Sequence, residues 1–116
     1  MNYIGKASML GVVLTLALAA AVRADTLEGV ITSYESGNKG TDMSMRLSNG
    51  HNQALWFDNL KKPLFQGKEL PWCPSFPCSG WPARLVLNKT RVRVSIRSEK
   101  VDGRVIETPT RIELLR

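Results

Sequence analysis

The chain has 116 residues, with 16 Lys and Arg against 10 Asp and Glu and a formal net charge of +6. That length excludes a multidomain enzyme, and a hydrophobic fraction of 43% excludes disorder over most of the chain. Two cysteines are too few for a cysteine-dense scaffold, and nine glycines too few for a collagen-like repeat.

Residues 1–24 read as a secretory signal peptide. Lys6 supplies the positive n-region, residues 9–22 carry no charge, and Val22-Arg23-Ala24 is a small-x-small cleavage site. The uncharged run is shorter than the roughly 20 residues that span a bilayer, so a retained anchor is the lesser reading. No stable membrane insertion is expected after cleavage. Arg23 lies close to the cut, which also allows cleavage a few residues earlier, after the alanine run. The exported protein is then a single β-domain over residues 25–116, periplasmic or secreted. Lys6 and Arg23 leave with the leader, so the remainder is only mildly basic. A chain of that size buries a core of modest extent, and a cross-link would help it.

Export places Cys73 and Cys78 in an oxidising compartment, where two cysteines permit one intramolecular bond. Their spacing is C-x4-C, not the C-x-x-C of redox catalysts and zinc ribbons. A disulfide is expected, and its chain-entropy effect falls at the low end of ~2–4 kcal/mol because the loop is small. Residues 70–82 hold four prolines, which forbid a regular helix or a central strand. The bond therefore fixes an irregular, proline-rich loop into a rigid knob. His51 is the lone imidazole, too little for the usual four-ligand metal site, so no metal and no cofactor are expected.

In chain order the elements are mostly strands. Residues 27–34 are β-branched and apolar on both parities, Leu27 and Ile31 on one and Val30 and Tyr34 on the other. Residues 36–40 are a loop. Residues 43–48 alternate, with Met43, Met45 and Leu47 on one face and Ser44, Arg46 and Ser48 on the other. Asn49-Gly50 is a hairpin turn. Residues 53–58 return, with Leu55 and Phe57 on one face and Trp56 and Asp58 on the other. Residues 59–83 form an irregular insert with a turn at Phe65-Gln66-Gly67-Lys68. The nearest helix candidates lie at its start and around residues 82–87, without a 3.6-residue stripe. Residues 89–98 are the clearest strand: Val92, Val94 and Ile96 face one way, and Arg91, Arg93, Ser95 and Arg97 the other. Asp102-Gly103 turns the chain, and residues 104–115 return.

The last hairpin tests its own register. A two-residue Asp102-Gly103 loop would set Val92 opposite Glu113 and Val94 opposite Arg111, placing charge on the apolar face. A three-residue loop with Gly103 in the left-handed region sets Val92 opposite Ile112, Arg91 opposite Glu113, Arg93 opposite Arg111 and Arg97 opposite Glu107. A one-residue slip inverts every side chain, so burial selects the second register. A bulge at Thr108-Pro109 would achieve the same correction, because proline interrupts a ladder.

Three meandering strands, an insert and a closing hairpin resemble the OB-fold, an all-β barrel of five strands. The resemblance spans residues 26–115 at the level of strand pattern, with the proline-rich disulfide loop standing between strands three and four where the fold has a helix. An open antiparallel sheet or a small β-sandwich is the alternative. OB-like barrels bind on strands two and three and with the loops joining strands 1–2 and 4–5. Carried over by position, the resemblance implicates Tyr34, Lys39, Arg46, Trp56, Lys100 and Arg104 in binding an anionic polymer or a glycan, by charge and ring stacking. The plain alternative makes Lys39 and Arg46 solubilising charges and puts Trp56 beneath the knob. Arg91, Arg93 and Arg97 form a ladder that serves either as an anion stripe, with Arg93 at its centre, or as partners for Glu107 and Glu113. Trp72, Phe76 and Trp81 are anchors for another exported protein if exposed, or a cap on the barrel end if buried. No Ser-x-Gly elbow, free thiol nucleophile or paired carboxylates stand out, so no catalytic residue is assigned and the chain reads as a non-enzymatic binding module.

Overall fold

The computed structural model describes residues 23–115. The signal-peptide reading falls on residues 1–24, of which 1–22 lie outside the described residues. Among the described residues no helix occurs, and so none is long and apolar enough to cross a membrane.

Strand β1 (Arg23–Ser36) runs for 14 residues. Its first half pairs antiparallel with β6 (Arg91–Val101), from Arg23↔Ser98 to Val30↔Arg91. Its second half pairs with β2 (Gly40–Leu47), from Gly29↔Leu47 to Ser36↔Thr41. The register shifts between Ile31 and Ser33, which leaves Thr32 as the extra residue of a β-bulge. The bulge moves the inward face from one parity to the other: Leu27, Gly29 and Ile31 point inward before it and Tyr34 and Ser36 after it, while Val30 lies on the outer face opposite Arg46 and Arg91. Gly29 lies where β1 has both neighbours at once. A methyl group there would meet the backbone of Arg46 and stand 2.8 Å from Leu47 Cα, so the strands approach this closely only around glycine.

β3 (Asn52–Asp58) returns along β2 and completes the meander. Between them Gly50 N–H donates to Leu47 O at 2.8 Å, and Gly50 takes φ 92°. This is a three-residue loop with glycine in the left-handed region. The last hairpin does not use that loop, contrary to the register expected for it. β6 and β7 (Arg104–Leu114) join through Asp102 and Gly103, at φ 52° and 79°, with Val101 opposite Arg104. Both central residues being left-handed is the two-residue I′ turn. The correction to the apolar face comes from a bulge at Thr110, next to Pro109, where the ladder steps from Ile96↔Pro109 to Ser95↔Arg111. Val92 therefore faces Leu114 rather than Ile112, and Val94 faces Ile112. Arg93 faces Glu113 rather than Arg111, and Arg97 faces Thr108 rather than Glu107. Burial decides the matter: a buried Val or Ile contributes ~1.5–3 kcal/mol, against ~0.2–1 kcal/mol for a cross-strand pair.

The insert is not wholly irregular. β4 (Leu64–Phe65) and β5 (Lys68–Glu69) form a short hairpin whose turn residues Gln66 and Gly67 take φ 53° and 81°. β4 lies parallel to β7, with Leu64↔Arg111 and Phe65↔Ile112. The result is one seven-stranded mixed sheet in the order β3-β2-β1-β6-β7-β4-β5, not five strands in a closed barrel. β3 packs beside β7 without a ladder. Pro109 offers no N–H, Thr110 bulges and β4 holds the next stretch of the edge, which interrupts any closing ladder. Inside the curl lies an apolar core that includes Ile31, Met43, Met45, Leu55, Phe57, Val92, Val94, Ile96 and Ile112.

Candidate functional site

The disulfide Cys73–Cys78 is formed, with Cα atoms 5.5 Å apart, as expected of an oxidising, exported environment. A buried polar chain seats it. Cys73 N–H donates to Ser36 Oγ at 2.9 Å, and Thr41 Oγ1 donates to Asn59 Oδ1 at 2.8 Å. Thr41 has one hydroxyl proton, so Ser36 must donate in the 2.9 Å bond between the two hydroxyls. Asn59 Nδ2 then donates to Gly37 O at 2.8 Å, and Trp72 Nε1 donates to the same carbonyl at 3.2 Å. The knob is thus tied to the β1–β2 loop and to the residue following β3.

Rings hold its other side. Trp81 lies between Tyr34 and Phe76, with centroid distances of 4.7 and 4.9 Å, and donates Nε1–H to Leu85 O at 2.6 Å. Tyr34 is core, not an exposed ligand contact: it is 2% exposed, and its hydroxyl donates to Pro71 O at 2.9 Å. Burial pushes its phenol pKa well above the ordinary range, because the phenolate would lose its water. Of the three loop aromatics, Trp81 is half-buried, Phe76 sits at the rim and Trp72 is 52% exposed.

The basic candidates scatter. Lys39 is exposed in the β1–β2 loop, and Arg46 is exposed on the sheet beside Val30, which also faces Arg91. Arg93 is spoken for: its guanidinium lies 3.0 Å from Glu28 on β1, with both side chains nearly half exposed. Such a pair contributes no more than about 1 kcal/mol, but it leaves little free charge for a stripe. Arg97 pairs with Glu99 at 3.4 Å. Lys100 is exposed opposite Val105 near the β6–β7 turn.

Trp56 and Arg104 do come together. Both line a groove of 660 Å³ between β3 and the β6–β7 hairpin, with Asp42, Val101, Val105, Ile106 and Glu107. The indole rests against Gly40, where any Cβ would run into the ring. A second groove of 590 Å³ continues from Trp56 and Val101 past Asp58, Lys61, Lys62 and Glu69 to Arg97 and Glu99. The two share Trp56 and Val101, so the seam where β3 faces β7 is one trough with an aromatic midpoint. Its walls carry four cations, Arg104, Lys61, Lys62 and Arg97, against five carboxylates, Asp42, Glu107, Asp58, Glu69 and Glu99. Ser98 Oγ donates to the Glu107 carboxylate and fixes it.

Reading the sequence for cations and rings missed Val101 and Val105, which are 40% and 65% exposed. Their position on either side of a polar Asp-Gly turn, at the tip of a long hairpin, is the signal that marks them as apolar without a core to enter. Among the described residues no group of three or more His, Cys, Asp and Glu is arranged to hold a metal ion. The chain matches no family model, and no similar curated protein or solved structure was found.

Proposed function

We propose that this protein is a non-enzymatic, exported binding module that takes a glycan in the trough centred on Trp56. The carrying observation is the charge balance around that ring. A polyanion draws its affinity from an excess of Lys and Arg, whereas cations and carboxylates here nearly cancel. A half-buried indole with carboxylate and guanidinium groups on both sides suits a neutral, hydroxyl-rich chain. The ring covers an apolar sugar face while polar groups fix the hydroxyls. The sheet order supports the same reading. The order β3-β2-β1-β6-β7, with β3 packed beside β7, is compatible with binding along the seam of an OB-like arrangement.

The test is a titration of soluble cell-wall glycan fragments, heparin and single-stranded DNA at low and moderate salt, followed by tryptophan fluorescence. Glycan binding that survives salt and is lost in Trp56→Ala is expected. Salt-sensitive binding of heparin or DNA would transfer the site to polyanions, and silence from all three ligands would refute the proposal. The second reading, a protein partner on the disulfide loop, is favoured by the exposure of Trp72. A pull-down from the native envelope, repeated with Trp72→Ala, discriminates it: an unchanged partner list rejects Trp72 as an anchor.

A further inference from the structure

A further cavity, of 690 Å³, shares only Leu64 with the trough and does not reach its ring. It forms where β4 stops. β4 covers the edge of β7 only at Arg111 and Ile112, then turns away at Gln66 and Gly67, while β7 runs on to Leu114. Beside Glu113 and Leu114 the outer edge of β7 has no strand among the described residues. An uncovered strand edge offers main-chain donors and acceptors to an extended peptide.

The side chains around this notch have a definite chemistry. Arg84 and Arg111 both line it, and Glu113 is the one carboxylate there. Arg111 and Glu113 approach only to 3.9 Å with both well exposed, a weak pair. Arg84 is exposed, its contact with Thr90 is made by its backbone carbonyl, and its guanidinium pairs with no carboxylate among the described residues. Leu114 and Leu115 supply the apolar wall. β4 stops at Phe65 opposite Ile112, and Arg111 lies one residue inside the covered stretch, opposite Leu64, at that end of the notch. A guest strand lying antiparallel to β7 would finish at that end, its terminal carboxylate between two guanidinium groups and its last side chain against the leucines.

We infer that this notch binds the free C-terminus of an extended, apolar-ended peptide by adding it to the edge of β7. Guanidinium groups match a carboxylate with paired donors, and the strand edge supplies the remaining hydrogen bonds. The occupant is a peptide rather than a fatty acid because the cavity follows a strand edge.

The experiment uses an N-acetylated hexapeptide of alternating threonine and valine ending in leucine, its C-terminal amide, and octanoate, each titrated into the isotopically labelled protein. The acid is expected to move the amide signals of Gly67, Glu113 and Leu115. The peptide amide and Arg84→Gln should each bind at least tenfold more weakly, about 1.4 kcal/mol. Arg84 lies in an exposed loop, so its substitution leaves the fold intact, and an unchanged spectrum elsewhere confirms that. Equal binding of acid and amide, unaltered affinity in Arg84→Gln, or binding of octanoate with no response to the peptide would each overturn the inference.

Discussion

Replacing Gly29 with alanine tests the closest approach in the sheet. Gly29 has an ordinary extended backbone, so on conformational entropy alone alanine should stabilise the protein by roughly 0.5–1 kcal/mol. The structure reverses that sign. The new methyl would overlap the Arg46 carbonyl oxygen and lie 2.8 Å from Leu47 Cα, and both obstacles are backbone. A side chain could rotate away; these atoms can move only if β1 and β2 separate. Overpacking of this kind costs about 1–3 kcal/mol, and the affected pair, Gly29↔Leu47, is where the β1–β2 ladder begins. After the entropic gain is offset, a net loss centred at ~1 kcal/mol and reaching ~2.5 kcal/mol remains, the central value being roughly 4–8 °C in Tm for a domain of this size. Urea and thermal melts of Gly29→Ala beside Gly37→Ala measure it. Gly37 has its nearest obstacle at 3.5 Å, an ordinary contact, so its variant should stay close to the parent. A Gly29→Ala protein as stable as the parent, or more so, would show that the strands are not this close.

Tyr34→Phe should cost about 1–2 kcal/mol at neutral pH, because the Pro71 carbonyl loses its donor. It should also remove a pH effect. The folded protein holds the phenol proton more tightly than the unfolded chain does, so stability is full below about pH 10 and falls as pH rises beyond it. Urea midpoints at pH 7 and 10.5 should differ more in the parent than in the variant. Replacing Cys73 and Cys78 together by alanine should cost about 2 kcal/mol in thermal melts, since their separation of 5 closes only a small loop. Asn59→Ala should cost about 1–3 kcal/mol by urea titration, because it leaves the buried Thr41 hydroxyl proton without its acceptor. A loss below 0.5 kcal/mol, on the order of a surface substitution, would show that water replaces the amide.

The strands were legible where one face meets the core. Val92, Val94 and Ile96 alternate against arginines and serine, and they lie inside as that alternation requires. Asn49-Gly50 announced its hairpin, and the Gln66-Gly67 turn was equally visible. The bulge at Thr32 was not, because the inserted residue has no local chemical mark and is revealed only by which neighbours must be buried; the one at Thr110 was half visible, because Pro109 marks, one residue away, where the ladder breaks. Tyr34 misled for a related reason. Its hydroxyl looks like a surface group until Pro71, far along the chain, accepts its proton. The trough shows the same limit more strongly. Asp42, Trp56 and Arg104 come from three strands, and nothing in their separate surroundings says that β3 will face β7 without pairing to it.

Through the backbone ladder, β2 and β3 are joined to β6 and β7 by β1 alone. That strand works as the spine of a folded book: the two leaves can be set wider or narrower only by changing its curvature. The extra residue at Thr32 is therefore a remote adjustment of the opening at Trp56. Deleting it would turn Tyr34 outward and re-aim one leaf, altering what fits between the pages without touching any residue that lines them.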